Sequence, residues 1–292
     1  MEYLYICNTA SDYISKIDLE ILHLGKITLC NKTGRVGPHG ICSWGSNLIT
    51  ANSYSNSISM IDPVQGNEIG NQYIGIHCND VDVYEDDAYI PCGELNNIVV
   101  FDLKLNKIVE ELPCGNSPHS IAIHKKLGLL VVTNMESGSI TLVDCKNKEN
   151  NKEISVGPYP TKALFSEDGK SIYVCESNIG SDKNGSISII SLNTLSLANR
   201  VSVGRSPVDF YCDGIICYVS NFNEGTISMV YLQDRGELKK IVVGGMPRGI
   251  IKKGRYLYVG DNLCNMLIKY DIYKDEKKVI IIGGEPTGMI LI

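Results

Sequence analysis

The chain has 292 residues, of which 43% are hydrophobic, and carries a formal net charge of −6. An acidic balance excludes a nucleic-acid partner, which calls for a basic face. No apolar run approaches the ~20 residues needed to cross a bilayer, so no membrane partner is expected.

Residues 1–7 read as a β-strand from the outset, with no basic leader and no long apolar stretch, as in a chain that is not exported. The eleven cysteines are odd in number, scattered and without CxxC spacing. They predict small buried apolar side chains in a reducing cytoplasm rather than a disulfide framework.

From this first strand onward the chain repeats itself. Tyr5-Ile6-Cys7-Asn8 aligns with the segments ending at Asn52, Gly93, Asn134, Glu176, Asn221 and Asp261. These ends lie 44, 41, 41, 42, 45 and 40 residues apart. Short β-type runs at that period predict propeller blades. The expected fold is all-β: one seven-bladed β-propeller over residues 1–292, with four-stranded antiparallel blades.

The fourth repeat gives the unit: strand a near His119–His124, b at Leu129–Thr133, c at Ser139–Val143, d near Lys152–Val156. Strands a and b are nearly all apolar, as suits strands covered on both faces. Strand d is mixed, as suits an exposed edge. Asp12, Asn56, Asn97, Gly138, Gly185, Gly225 and Asn265 fall at the b–c turn tips, where a left-handed backbone is tolerated. Asp18, Asp62, Asp102, Asp144 and Asp271 should start the c–d turns. Gly115…Pro118, Gly157…Pro160, Gly204…Pro207, Gly244…Pro247 and Gly283…Pro286 precede strand a, and Cys78 stands in the Pro place of blade 3. The chain starts in a strand b and finishes in a strand a, so residues 287–292 should complete blade 1 and close the ring.

Tyr173-Val174-Cys175-Glu176, Tyr218-Val219-Ser220-Asn221 and Val131-Val132-Thr133-Asn134, with the flanking Val203-Gly204…Pro207, resemble the motif of the YVTN family of β-propeller repeats. The resemblance covers essentially the whole chain and implies the fold, not an activity. Members of that family are often exported, from which the missing leader departs. A second similarity is to virginiamycin B lyase-like propellers, seven-bladed and metal-dependent. Their His and Glu motif has no matching positions here, so it supplies no catalytic residue.

Comparison among the repeats points to a site. The residue after the Pro place is His39, Asn79, His119, Thr161, Val208, Arg248 or Thr287; the next is Gly40, Asp80, Ser120, Lys162, Asp209, Gly249 or Gly288. A packing position would be apolar in every copy, whereas this ring carries ionisable groups and should line the channel mouth. His39, Asp80, His119, Lys162, Asp209 and Arg248, with Glu176 from a b–c loop, are therefore the expected ligand-binding residues. Imidazoles with a carboxylate suit a divalent metal ion, for which His39, His77, His119 and Asp80 are the candidates. Glu94 and Glu136, on b–c loops of the same face, would be the acid–base groups if the protein is an enzyme. Blade 5 inserts Ile179–Gly185 in its b–c loop, an addition typical of a binding face. Cys7, Cys92 and Cys175 fall at one repeat position and should pack in the core.

The expected function is a cytoplasmic binding module holding a small molecule, peptide or partner protein at the channel mouth. The alternative is a metal-assisted lyase or hydrolase in the same funnel, in which Arg248 and Lys162 would steady negative charge on the substrate.

Overall fold

The structure is a computed structural model and describes residues 2–30, 34–232 and 236–292. These residues form 28 strands and one 3₁₀ turn, Thr9–Ser11, arranged as seven four-stranded antiparallel sheets. The expected β-propeller is what the chain forms. No helix among the described residues is long and apolar enough to cross a membrane.

The inner strands a are, from blade 1 to blade 7, Pro286–Leu291, Pro38–Trp44, Asp82–Tyr84, Pro118–His124, Pro160–Phe165, Pro207–Cys212 and Pro247–Lys253. Blade 4 continues outward through Leu129–Asn134, Ser139–Asp144 and Lys152–Ser155, as its pattern predicts. The ring closes as anticipated: Leu291, Ile290 and Met289 pair with Leu4, Tyr5 and Ile6. Tyr3 and Ile292 exchange backbone hydrogen bonds beyond them.

The apolar residues fill seven cores, one between each pair of neighbouring blades. Tyr89 and Ile98 of blade 3 meet Ile121 and Leu130 of blade 4; Leu4 and Ile6 of blade 1 meet Tyr258 and Leu267 of blade 7. A fully buried Ile or Leu contributes about 1.5–3 kcal/mol, so each blade is held chiefly by its two neighbours.

Recurring polar residues fix the corners. Each of the five c–d Asp side chains accepts backbone N–H groups two and three residues on, as between Asp62 and Val64 and Gln65 at 2.8 and 2.9 Å. The Asn at the end of strand b donates to Ser and Thr hydroxyls of strand c. Asn134 reaches Ser139 and Thr141, and Asn221 reaches Thr226 and Ser228. The Gly of the Gly…Pro element lies directly under this Asn. A Cβ on Gly204 would sit 2.5 Å from the Asn221 side chain, and one on Gly115 only 2.8 Å from Asn134.

Three expectations need correction. In blade 3, Cys92 pairs with Asn97 as Asn134 pairs with Ser139, so Cys92, not Gly93, holds the Asn place. The left-handed tip there is Asn96 rather than Asn97, and Cys92 is not equivalent to Cys7 and Cys175. In blade 5 the insertion moves the left-handed residues to Asn178 and Gly180, and Gly185 enters the strand Asn184–Ser191. Finally, Cys212 and Cys217, opposite one another across a hairpin of blade 6, form a disulfide. The other nine cysteines are free.

Candidate functional site

Convergence of the seven strands a creates a cavity of about 50 Å³ at the axis. It is lined by His39 and Gly40 of blade 2, Asp80 of blade 3, His119 and Ser120 of blade 4, and Thr161 and Lys162 of blade 5. Val208 and Asp209 of blade 6, Arg248 of blade 7, and Thr287 and Gly288 of blade 1 complete it. Twelve of the fourteen residues singled out by repeat comparison thus surround one space.

Residues at the first of the two positions tie several blades together. Thr287 donates from its hydroxyl to the His39 carbonyl at 3.0 Å. His39 in turn reaches the Asn79 carbonyl through Nδ1 at 2.7 Å, and His119 reaches the Thr161 carbonyl through Nδ1 at 3.1 Å. A carbonyl can only accept, so each Nδ1 carries the proton and each Nε2 presents a lone pair. The His39 lone pair accepts from the Arg248 guanidinium at 2.9 Å. The His119 ring stands edge-on to that of His39, with 5.7 Å between centroids.

At the second position one side of the wall is bare. Blades 7, 1 and 2 carry Gly249, Gly288 and Gly40, where any Cβ would collide with the neighbouring inner strand or with Asp80. Blades 3 to 6 carry Asp80, Ser120, Lys162 and Asp209. Asp80 accepts the N–H groups of Val81 and Ile121 and lies 3.5 Å from the Lys162 ammonium. Asp209 accepts from its neighbour Phe210 at 2.8 Å.

Burial governs the charges. It holds the His39 imidazole well below its ordinary pKa, with Arg248 and His119 adding to the effect. His119 is pushed down to about 4, first by burial and then by Arg248. Both rings are therefore neutral at pH 7. Burial also works against the Lys162 ammonium, but Asp80 and Asp209 outweigh it and its pKa is raised. Burial raises Asp209, against the pull of Lys162, and lowers Arg248. One rung deeper, Asp82 is pushed up to about 6 by burial, although it accepts the Ile123 N–H at 2.8 Å. Sequence comparison had not singled it out.

Four of the expected site residues lie elsewhere. His77 has a left-handed backbone and does not line the cavity; its ring is half exposed and 3.8 Å from Glu94. The set His39, His77, His119 and Asp80 does not converge, and among the described residues no three His, Cys, Asp or Glu side chains are grouped to hold a metal ion. Glu176 stands in the Asn place of blade 5. It is buried against the Gly157 N–H, Ser186 and Arg200, an ion pair at 2.9 Å, and does not reach the cavity. Glu94 and Glu136 are exposed and do not line the cavity.

No protein-family model matches the chain, and no curated protein does. Solved structures do match. A functionally unknown protein from Desulfotomaculum acetoxidans superposes with a TM-score of 0.79 at 18% identity, covering 99% of this chain and 98% of that one. A putative 6-phosphogluconolactonase from Bacteroides fragilis gives 0.77 at 16% identity, covering 100% and 98%. Hydrazine synthase from Kuenenia stuttgartiensis gives 0.74 at 19%, covering 84% and 80%. At these identities the likeness extends to the fold alone.

Proposed function

We propose that this protein is a binding propeller of the YVTN-repeat type, with its ligand site at the mouth of the central channel. The repeat motif ending at Asn134, Glu176 and Asn221 supports the family reading. One observation carries the site: the copies depart from one another where their side chains enclose a common space, and there they depart toward charge. Ser120 Oγ has no hydrogen-bond partner, so it is not paired with a base as an activated nucleophile would be. That counts against a serine nucleophile at this position. Nine free thiols, four of them fully buried, support a reducing, cytoplasmic setting; the Cys212–Cys217 bond speaks against it.

Val208 lines the mouth without a polar role, so Val208→Trp would plug it while leaving every charge in place. Saturation-transfer NMR with small polar fragments should give hits on the wild type that vanish with the plugged variant. Hits that persist unchanged, or none at all, would defeat the reading.

A further inference from the structure

The hydrogen bonds around the funnel leave one charge poorly served. Asp80 already has two backbone N–H groups and an ammonium. Asp209 is shifted toward its neutral form by burial. Arg248, in contrast, makes a single hydrogen bond, to the lone pair of a neutral imidazole, and among the described residues no carboxylate is within ion-pair distance. A guanidinium has five N–H donors, and buried charges are as a rule paired.

A second, independent observation lies on the same wall. Ser120 lines the same cavity and is 1% exposed, and its buried hydroxyl has no hydrogen-bond partner. A buried hydroxyl left in that state costs about 1–3 kcal/mol. The unmet groups are thus an Arg fork and a hydroxyl, with the Lys162 ammonium near by. Size narrows the choice further. A water needs roughly 10–15 Å³ by the same measure, so about 50 Å³ takes only a few heavy atoms.

We propose that the funnel binds a small oxyanion, a carboxylate or phosphate head group, held by Arg248 with Lys162 and Ser120. The inference rests on the channel mouth being the binding site and names the chemistry it takes. The oxyanion could be a free small acid or an acidic side chain presented by a partner segment; the recognition is the same for both.

Isothermal titration at constant ionic strength tests it, with acetate, inorganic phosphate and the capped peptide acetyl-Gly-Asp-Gly-amide as anionic probes. Methylammonium is the cationic control. At least one anion should bind, and Arg248→Met should weaken it tenfold or more. Ser120→Ala, which removes only a hydroxyl, should weaken it several-fold and guards against a folding defect in the first variant. Tighter binding of the peptide than of acetate assigns the oxyanion to a partner segment; the reverse order assigns it to a free acid. Anions that bind wild type and Arg248→Met equally would overturn the assignment. If methylammonium binds and no anion does, the oxyanion falls while the funnel stands as a site; if nothing binds, both fall.

Discussion

Two rings of polar side chains lie one strand apart at the same end of the propeller, and they are built on opposite terms. The outer ring, at the ends of strands b, repeats Asn8, Asn52, Asn134 and Asn221, all buried, each donating to a strand-c Ser or Thr hydroxyl. Where the repeat fails, Glu176 and Asp261 take over with backbone N–H groups of their own loops. The inner ring changes from blade to blade, and leaves Arg248 under-coordinated and Ser120 without a partner. The outer ring too leaves two buried oxygens, Asn8 Oδ1 and Asn134 Oδ1, without a partner, so charge separates the rings: one repeated side chain marks a part of the scaffold, and a guanidinium with a single neutral partner at a cavity marks a place kept for something else.

The widest separation should appear in stability. Asn221→Ala strips partners from Gly204 N–H, Thr226 and Ser228 together, and should cost about 3 kcal/mol in urea unfolding. Arg248→Met should move the same midpoint by less than about 1 kcal/mol, since it removes one hydrogen bond to a neutral ring. Equal losses would make the inner ring structural and erase the contrast.

A smaller effect concerns Asp82. Its folded pKa of about 6 lies above the ordinary carboxylate value. Ionisation therefore penalises the fold, not at all well below pH 4 and fully above pH 6. Asp82→Asn keeps an oxygen for the Ile123 N–H, so its stability relative to wild type should rise between pH 4 and 7. A pH-independent difference would refute that account.

The finest test reads a single ring. The His119 imidazole should titrate with a midpoint near 4 by proton NMR; a midpoint above 6 would mean that it is neither desolvated nor neutral beside Arg248.

The sequence made the architecture plain because the fold depends on a period, and a period survives substitution. The same comparison found His39, Asp80, His119, Lys162, Asp209 and Arg248, since inner strands must converge on the axis. It failed where direction or register decides. His77 is one residue before the Pro place, and from there it does not line the cavity. Glu176 looked like a rim acid because its partner Arg200 lies on strand d, 24 residues away. Blade 3 slipped by one because Cys92, and not the Gly93 that follows it, holds the place that Asn takes in other blades. Ser120 was visible in the ring, but its missing partner could be seen only in three dimensions.

The glycine arc of the funnel has one more implication. From blade 2 round to blade 1 the second position reads Gly40, Asp80, Ser120, Lys162, Asp209, Gly249 and Gly288, an order that differs in the two senses of rotation, so no mirror plane contains the axis. An occupant with a stereocentre would meet bulk and polarity in a fixed sense of rotation, so opposite enantiomers of one acid should differ in affinity.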